Sequence, residues 1–223
     1  MMTLKCDAVL FDLDGVLIDS TVCVERHWEE WAGKHKLDAG EIVSQAHGVR
    51  SIEVIRHFAP HLDAGVEADL YSANEVADTV GVVPVEGARE LMESLPAECW
   101  AIVTSCNEAL ARARLEAAGL PVPENMVTSD DVEQGKPDPE PYLAGARLLG
   151  VSSKACVVVE DAPAGVQAGV NAGMRVVGIQ GTRQGSELKK AGAEIVVKQM
   201  TDLVFKGSEE GCRLEILFRQ ESE

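Results

Sequence analysis

Two acidic residues, Asp12 and Asp14, stand two positions apart directly after the apolar run Ala8-Val9-Leu10-Phe11. Residues i and i+2 of an extended chain point the same way, so both carboxylates can share one site. Like charges that close repel, and carboxylates at the end of a buried strand need a partner. A hard divalent cation is the partner this pattern points to. Gly15 then lets the chain bend where a side chain would obstruct. Three further polar signals join the pair: Thr104-Ser105 after Ala101-Ile102-Val103, Lys136 in Gly135-Lys136-Pro137-Asp138-Pro139, and Glu160-Asp161 after Val157-Val158-Val159. The chemistry that fits such a set is phosphoryl transfer, in which the protein positions the group and neutralises its equatorial oxygens. Oxygen ligands from Asp12, Asp161 and a backbone carbonyl suit Mg²⁺. Lys136 supplies a positive point charge. Thr104 supplies a hydroxyl donor, and the backbone N–H groups after it can add more; Ser105 shares that turn. One aspartate can attack phosphorus while its neighbour gives and takes the proton.

Bringing these groups together takes a parallel sheet, whose strand C-termini lie along one edge. Apolar, β-branched runs predict strands at Ala8–Phe11, Trp100–Val103, Met126–Val127, Ala155–Val159, Arg175–Ile179 and Glu194–Val197. Helical patterns separate most of them: Glu108–Ala118, Pro139–Leu149, Pro163–Ala172 and Gly185–Ala191, each followed by a glycine suited to a C-cap. Alternating strand and helix predicts an α/β fold with right-handed crossovers and helices on both faces. From about Ser20 to Pro84 only helices are predicted: Val22–Lys36, Ala39–Ala46, Ser51–Ala59 and Gly65–Ala77. That stretch is too long for a plain crossover. It reads as an inserted helical subdomain over residues 19–85, with linkers near Ile18–Ser20 and Val82–Glu86, placed as a lid over the ligand site. The core is then 1–18 and 86–205. The extension 206–223 reads as a hairpin without chemistry.

At 223 residues the chain is long enough for one large domain or a core with an insertion. Its formal net charge of −17 argues against nucleic acid and anionic membrane surfaces as partners, since both need basic patches. Any anionic substrate must be drawn in by a locally positive site. The acidic surface favours a soluble monomer. The six cysteines form no Cys-x-x-Cys pair, and a reduced cytoplasmic location is the simplest account. Neither a signal peptide nor a transmembrane span is apparent.

The four motifs together resemble the haloacid dehalogenase superfamily. They run Asp12-Leu-Asp14-Gly-Val-Leu-Ile-Asp19-Ser, Ile102-Val-Thr104-Ser, Gly135-Lys136-Pro-Asp-Pro and Val-Val-Glu160-Asp161-Ala-Pro-Ala-Gly165, in the family's order and across most of the chain. The resemblance implies a Rossmann-like core with a helical cap. It implies that Asp12 becomes an aspartyl-phosphate and that Asp14 is the general acid and base. It also implies Mg²⁺ on Asp12, the carbonyl of Asp14 and Asp161, with Glu160 beside it, and phosphate held by Thr104 and Lys136. Metal-free dehalogenases lack the second aspartate of the first motif, so Asp14 argues against that branch. Capped hexose-phosphate mutases carry a histidine where this chain has Val24, which favours water as acceptor. Cap segments such as Trp28-Glu-Glu-Trp31 and His47-Gly48-Val49-Arg50-Ser51 resemble the small sugar and polyol phosphate phosphatases. The expected substrate is therefore a small phosphate monoester. A sugar-phosphate mutase and a non-catalytic phosphate-binding regulator of the same fold remain as alternatives.

Within the cap, His47 and Arg50 are the candidates for touching the substrate's polar end. Trp28 and Trp31 read as core, with Glu25, Arg26, Glu29 and Glu30 on the wet face, and His57 reads as structural. Asp19 reads as a hinge or capping residue. Thr104-Ser105 and Glu160-Asp161 could also cap the helices expected near Asn107 and Pro163.

Overall fold

A computed structural model describes residues 2–181, 184–207 and 214–218. The core is a six-stranded parallel sheet of β2 (Ala8–Phe11), β5 (Trp100–Val103), β6 (Met126–Val127), β7 (Cys156–Glu160), β8 (Arg175–Ile179) and β9 (Ile195–Val197), in the order β6-β5-β2-β7-β8-β9. Side chains alternate across each strand. Val9, Phe11, Ile102, Val157 and Val159 enter one apolar layer, while Ala8, Leu10, Ala101, Val103 and Val158 enter the other. Burial on both faces is why these strands read as unbroken apolar runs. Helices α5 (Ala88–Ser94), α6 (Glu108–Ala117), α7 (Glu140–Leu148), α8 (Pro163–Asn171) and α9 (Gly185–Ala191) cover the faces. From β2 the chain lays strands to one side, β5 and β6, then returns to lay β7, β8 and β9 on the other. The crevice at that reversal opens at the C-terminal end of β2, where Asp12 follows.

Helices α1 (Thr21–His35), α2 (Ala39–Ala46), α3 (Ser51–Phe58) and α4 (Ala64–Ala77) form the inserted cap. It has its own apolar centre of Trp28, Trp31, Ile42, Ile55 and Tyr71, with the Trp28 and Tyr71 rings stacked 4.1 Å apart. Asp38 and Asp63 cap α2 and α4 by accepting backbone N–H groups.

Three features depart from the sequence pattern. The linkers are not bare: β3 (Ile18–Asp19) pairs antiparallel with β4 (Val83–Pro84) as a short ribbon. A strand precedes β2: β1 (Met2–Cys6) pairs with β11 (Leu214–Phe218), which pairs with β10 (Leu203–Gly207), as a second, antiparallel sheet. Part of the expected hairpin, 208–213 and 219–223, lies outside the described residues. Finally, Cys6, Cys23, Cys106 and Cys156 are reduced thiols, but Cys99 is disulfide-bonded, unlike the uniformly reduced set expected.

Candidate active site

The chain leaves β2 at Asp12, whose backbone N–H continues the ladder to the Val159 carbonyl at 3.0 Å. A tight turn follows, with Gly15 donating to the Ile18 carbonyl at 2.7 Å. Gly15 takes a φ of +82°, and a Cβ there would lie 2.0 Å from Asp161 Oδ2. The Asp161 carboxylate thus packs against the one turn position that only glycine can fill.

Lys136 projects from the loop between β6 and α7 and is fully buried. Its ammonium donates to Asp12 Oδ1 at 2.7 Å, Glu160 Oε1 at 2.8 Å and the Val103 carbonyl at 3.0 Å. All three ammonium protons are therefore matched by oxygens at the ends of β2, β7 and β5. Glu160 is further held by Tyr142, whose hydroxyl donates to Oε1 at 3.1 Å, and by the Ala162 N–H donating to Oε2 at 2.8 Å. A Cβ at Gly165 would fall 1.5 Å from Glu160 Oε1, so the glycine of the fourth motif leaves room for this carboxylate.

Asp12, Glu160 and Asp161 each present a carboxylate oxygen within 4.8 Å of the others, and all three residues are buried. The donors are all oxygen, the set that hard cations prefer. Burial pushes the Asp12 carboxyl up to about 7, while Lys136 pulls it down and Glu160 and Asp14 push it further up. Burial alone would lower Lys136, but Asp12 and Glu160 outweigh it and keep the ammonium charged well above the usual lysine range. The acidic cluster can therefore hold a metal ion.

A cavity of about 290 Å³ lies over this cluster, lined by Asp12, Asp14, Thr104, Ser105 and Asp161 from the core and by His47, Gly48 and Arg50 from the cap. A parallel sheet with an acidic, lysine-bearing crevice under a helical cap now stands beside the known proteins. A model of the haloacid dehalogenase-like hydrolases matches residues 6–173. The chain belongs to this hydrolase family. Among curated relatives, it is 44% identical over 181 residues to hexitol phosphatase A of Escherichia coli (strain K12), covering 79% of this chain and 84% of the relative. It is 36% identical over 215 residues to glycerol-1-phosphate phosphohydrolase 2 of Saccharomyces cerevisiae (strain ATCC 204508 / S288c), covering 88% of this chain and 84% of the relative. A solved hydrolase from Pseudomonas syringae superposes with a TM-score of 0.78 at 28% identity, covering 88% of this chain and 95% of that one. The chain thus falls in the phosphatase branch of the dehalogenase-like hydrolases, the branch its motifs resembled.

In this hydrolase the cap and core meet through specific contacts. Ser105 Oγ donates to the Gly48 carbonyl at 2.9 Å. Arg50 lines the cavity, but its guanidinium grips Glu53 and donates to the carbonyls of Val132 and Glu133 at 3.5 and 3.0 Å. It fastens the start of α3 to the loop that carries Lys136. His47 also lines the cavity. Thr104 Oγ1 accepts the Cys106 N–H at 3.1 Å. The cap of α6 is Asn107, whose side chain accepts the Leu110 N–H, so neither Thr104 nor Ser105 has that task. At the start of α8 the N-cap residue is Ala162, which has no capping side chain and whose N–H is taken by Glu160. Asp19 accepts the Thr21 N–H at the foot of α1, the capping use expected of it. His57 is exposed, with its ring edge against Phe58.

Asp14 is engaged apart from Lys136. Its Oδ1 accepts from Ser20 Oγ at 2.6 Å and Arg114 Nη1 at 2.8 Å, and Cys106 Sγ lies 3.3 Å from Oδ2. Burial pushes the Cys106 thiol well above its usual value, so it meets Asp14 as a neutral donor. Sequence reasoning missed Ser20, Cys106, Arg114, Glu75 and Tyr142. Two of them carried a signal. Arg114 shares the buried face of α6 with Leu110, Ala111 and Leu115, and Glu75 shares that of α4 with Tyr71 and Ser72. A charged residue on an apolar helical face needs a buried partner.

Proposed function

We propose that this hydrolase removes phosphate from a small sugar or polyol phosphate, with Mg²⁺ and through an aspartyl-phosphate intermediate. In the first half-reaction an Asp12 oxygen bonds phosphorus, the ester P–O bond breaks, and the proton of Asp14 passes to the departing oxygen. In the second, water adds to phosphorus, gives its proton to Asp14, and the bond to Asp12 breaks. Lys136 fixes the Asp12 carboxylate and supplies positive charge beside the transferred group. Thr104 and Ser105 offer hydroxyl and backbone donors to the phosphate oxygens. Asp12, Asp161 and the Asp14 carbonyl would hold the cation, with Glu160 ordering them through Lys136. When bound, Mg²⁺ neutralises phosphate oxygens and orients them. His47 and Arg50 stand on the cap side for the polar end of the substrate.

The observation that carries this reading is the buried cluster of Asp12, Glu160 and Asp161, with carboxylate oxygens within 4.8 Å of one another, under a cavity of about 290 Å³ between core and cap. That volume suits a small ligand. The names of the hexitol and glycerol-1-phosphate relatives favour polyol esters. Val24 lines the cavity where a mutase would need a base, which favours hydrolysis over isomerisation.

The test is phosphate release across sugar, polyol and nucleotide phosphates. Polyol or hexose phosphates should be hydrolysed, EDTA should abolish turnover, and added Mg²⁺ should restore it. Turnover untouched by EDTA, or isomerised product without free phosphate, would count against this assignment.

A further inference from the structure

Arg114 belongs to none of the four motifs, yet it is 3% exposed and touches Asp14. It reaches Asp14 from α6 with Nη1 at 2.8 Å. With Nη2 it donates to Glu75 Oε1 at 2.6 Å. Asp14 is on the core and Glu75 is on cap helix α4, so one guanidinium spans the junction of the two bodies. Nearby, Asn107 at the start of α6 donates to Ser72 Oγ of α4 at 2.8 Å, so the two helices meet through polar groups at two levels. Such an ion triplet is a weak source of stability, because desolvating the charges offsets their attraction. Its Nε, moreover, is buried without a partner.

We propose that Arg114 is a positioning residue that sets Asp14 for proton transfer, and that Glu75 makes this setting depend on the cap being closed. The inference rests on the reading of Asp14 as the acid and base. With α4 seated, Glu75 occupies Nη2 and the guanidinium plane is fixed, so Asp14 meets a single terminal nitrogen in one orientation. With α4 displaced, Nη2 is released to join Nη1 in a fork onto Asp14, the geometry arginine prefers with a carboxylate. That arrangement turns Asp14 toward α6 and away from a departing oxygen. Leaving-group protonation is thereby confined to the closed state, in which solvent is excluded from the cavity.

Leaving-group chemistry separates this role from a structural one. An alkoxide must be protonated as the P–O bond breaks, whereas p-nitrophenolate departs as an anion. The experiment measures kcat/KM, which reports the first half-reaction, for glycerol 1-phosphate and p-nitrophenyl phosphate in the native protein, Arg114→Leu, Arg114→Lys and Glu75→Gln. Arg114→Leu should lose about 10- to 100-fold more on the alkyl ester than on the aryl ester, within the range of general acid catalysis. Arg114→Lys should recover part of that selective loss. Glu75→Gln should show a smaller selective loss that vanishes in the Arg114→Leu background, because the two act as one unit. Should Arg114→Leu fail to fold, Arg114→Lys and Glu75→Gln carry the test, together with a crystal structure of Glu75→Ala, which leaves no acceptor there and in which Asp14 should be turned onto the freed guanidinium. Equal losses on both esters in active variants, or an unmoved Asp14, overturn the positioning role alone. A native protein inert on both esters overturns it together with the phosphatase reading.

Discussion

Two buried cations stand behind the aspartates that line the cavity, each held by two carboxylates, and they differ in what they join. Lys136 binds Asp12, Glu160 and the Val103 carbonyl, all supplied by the core sheet and the residues that end its strands. Arg114 binds Asp14 of the core and Glu75 of the cap. Every Lys136 proton has an acceptor, whereas Arg114 keeps a buried Nε with none. The first centre draws all its ligands from the core. The second exists in this form only while α4 rests on α6. A closed network is suited to holding a nucleophile still, and a network that bridges two bodies is suited to sensing their approach.

The contrast can be broken most sharply at Asp12. Asp12→Asn should reduce kcat for phosphate release by on the order of 10⁵-fold or more, the scale on which losing a nucleophile acts. Retained turnover within tenfold of native would mean that the Lys136 centre does not hold the reacting group. Lys136→Met comes next, since it strands two buried carboxylates. Urea unfolding should show a loss of about 3–5 kcal/mol, the range for breaking a buried pair from one side. Glu75→Gln should cost least, about 1 kcal/mol, because the amide oxygen still accepts from Arg114 and only the charge is lost. Its hydrogen exchange should quicken in α4 and leave β2 and β7 unchanged. If Glu75→Gln proved as damaging as Lys136→Met, or loosened the core strands, the two centres would be equally locked and the distinction would fall.

Much of the core was legible because its signals are local. The strands β2, β5 and β7 are buried on both faces and read as short apolar runs, so the polar residue ending each run stood out. The cap helices were legible as a helical run without strands, but the Asp38 and Asp63 caps of α2 and α4 were not read from it. The glycines at 15 and 165 were visible in the motifs, but their reason was not: Gly15 clears space for Asp161, far along the chain, and Gly165 for Glu160, five residues before it. Arg50 was legible as a cation beside the cavity, yet nothing local indicated that its guanidinium would close on Glu53 and two carbonyls of the Lys136 loop.

The amino-acid order by itself determined the alternation of strand and helix, the helical insertion, and which acidic and basic residues end the central strands, because periodicity and burial act over a few residues. Only the tertiary structure decided the partners. Arg114 meets Asp14 across 100 positions and Glu75 across 39, and β1 pairs with β11 from opposite ends of the chain. A charged residue on an apolar face announces that it must be neutralised, but Coulomb attraction carries no address. The packing of α4 against α6 supplies it.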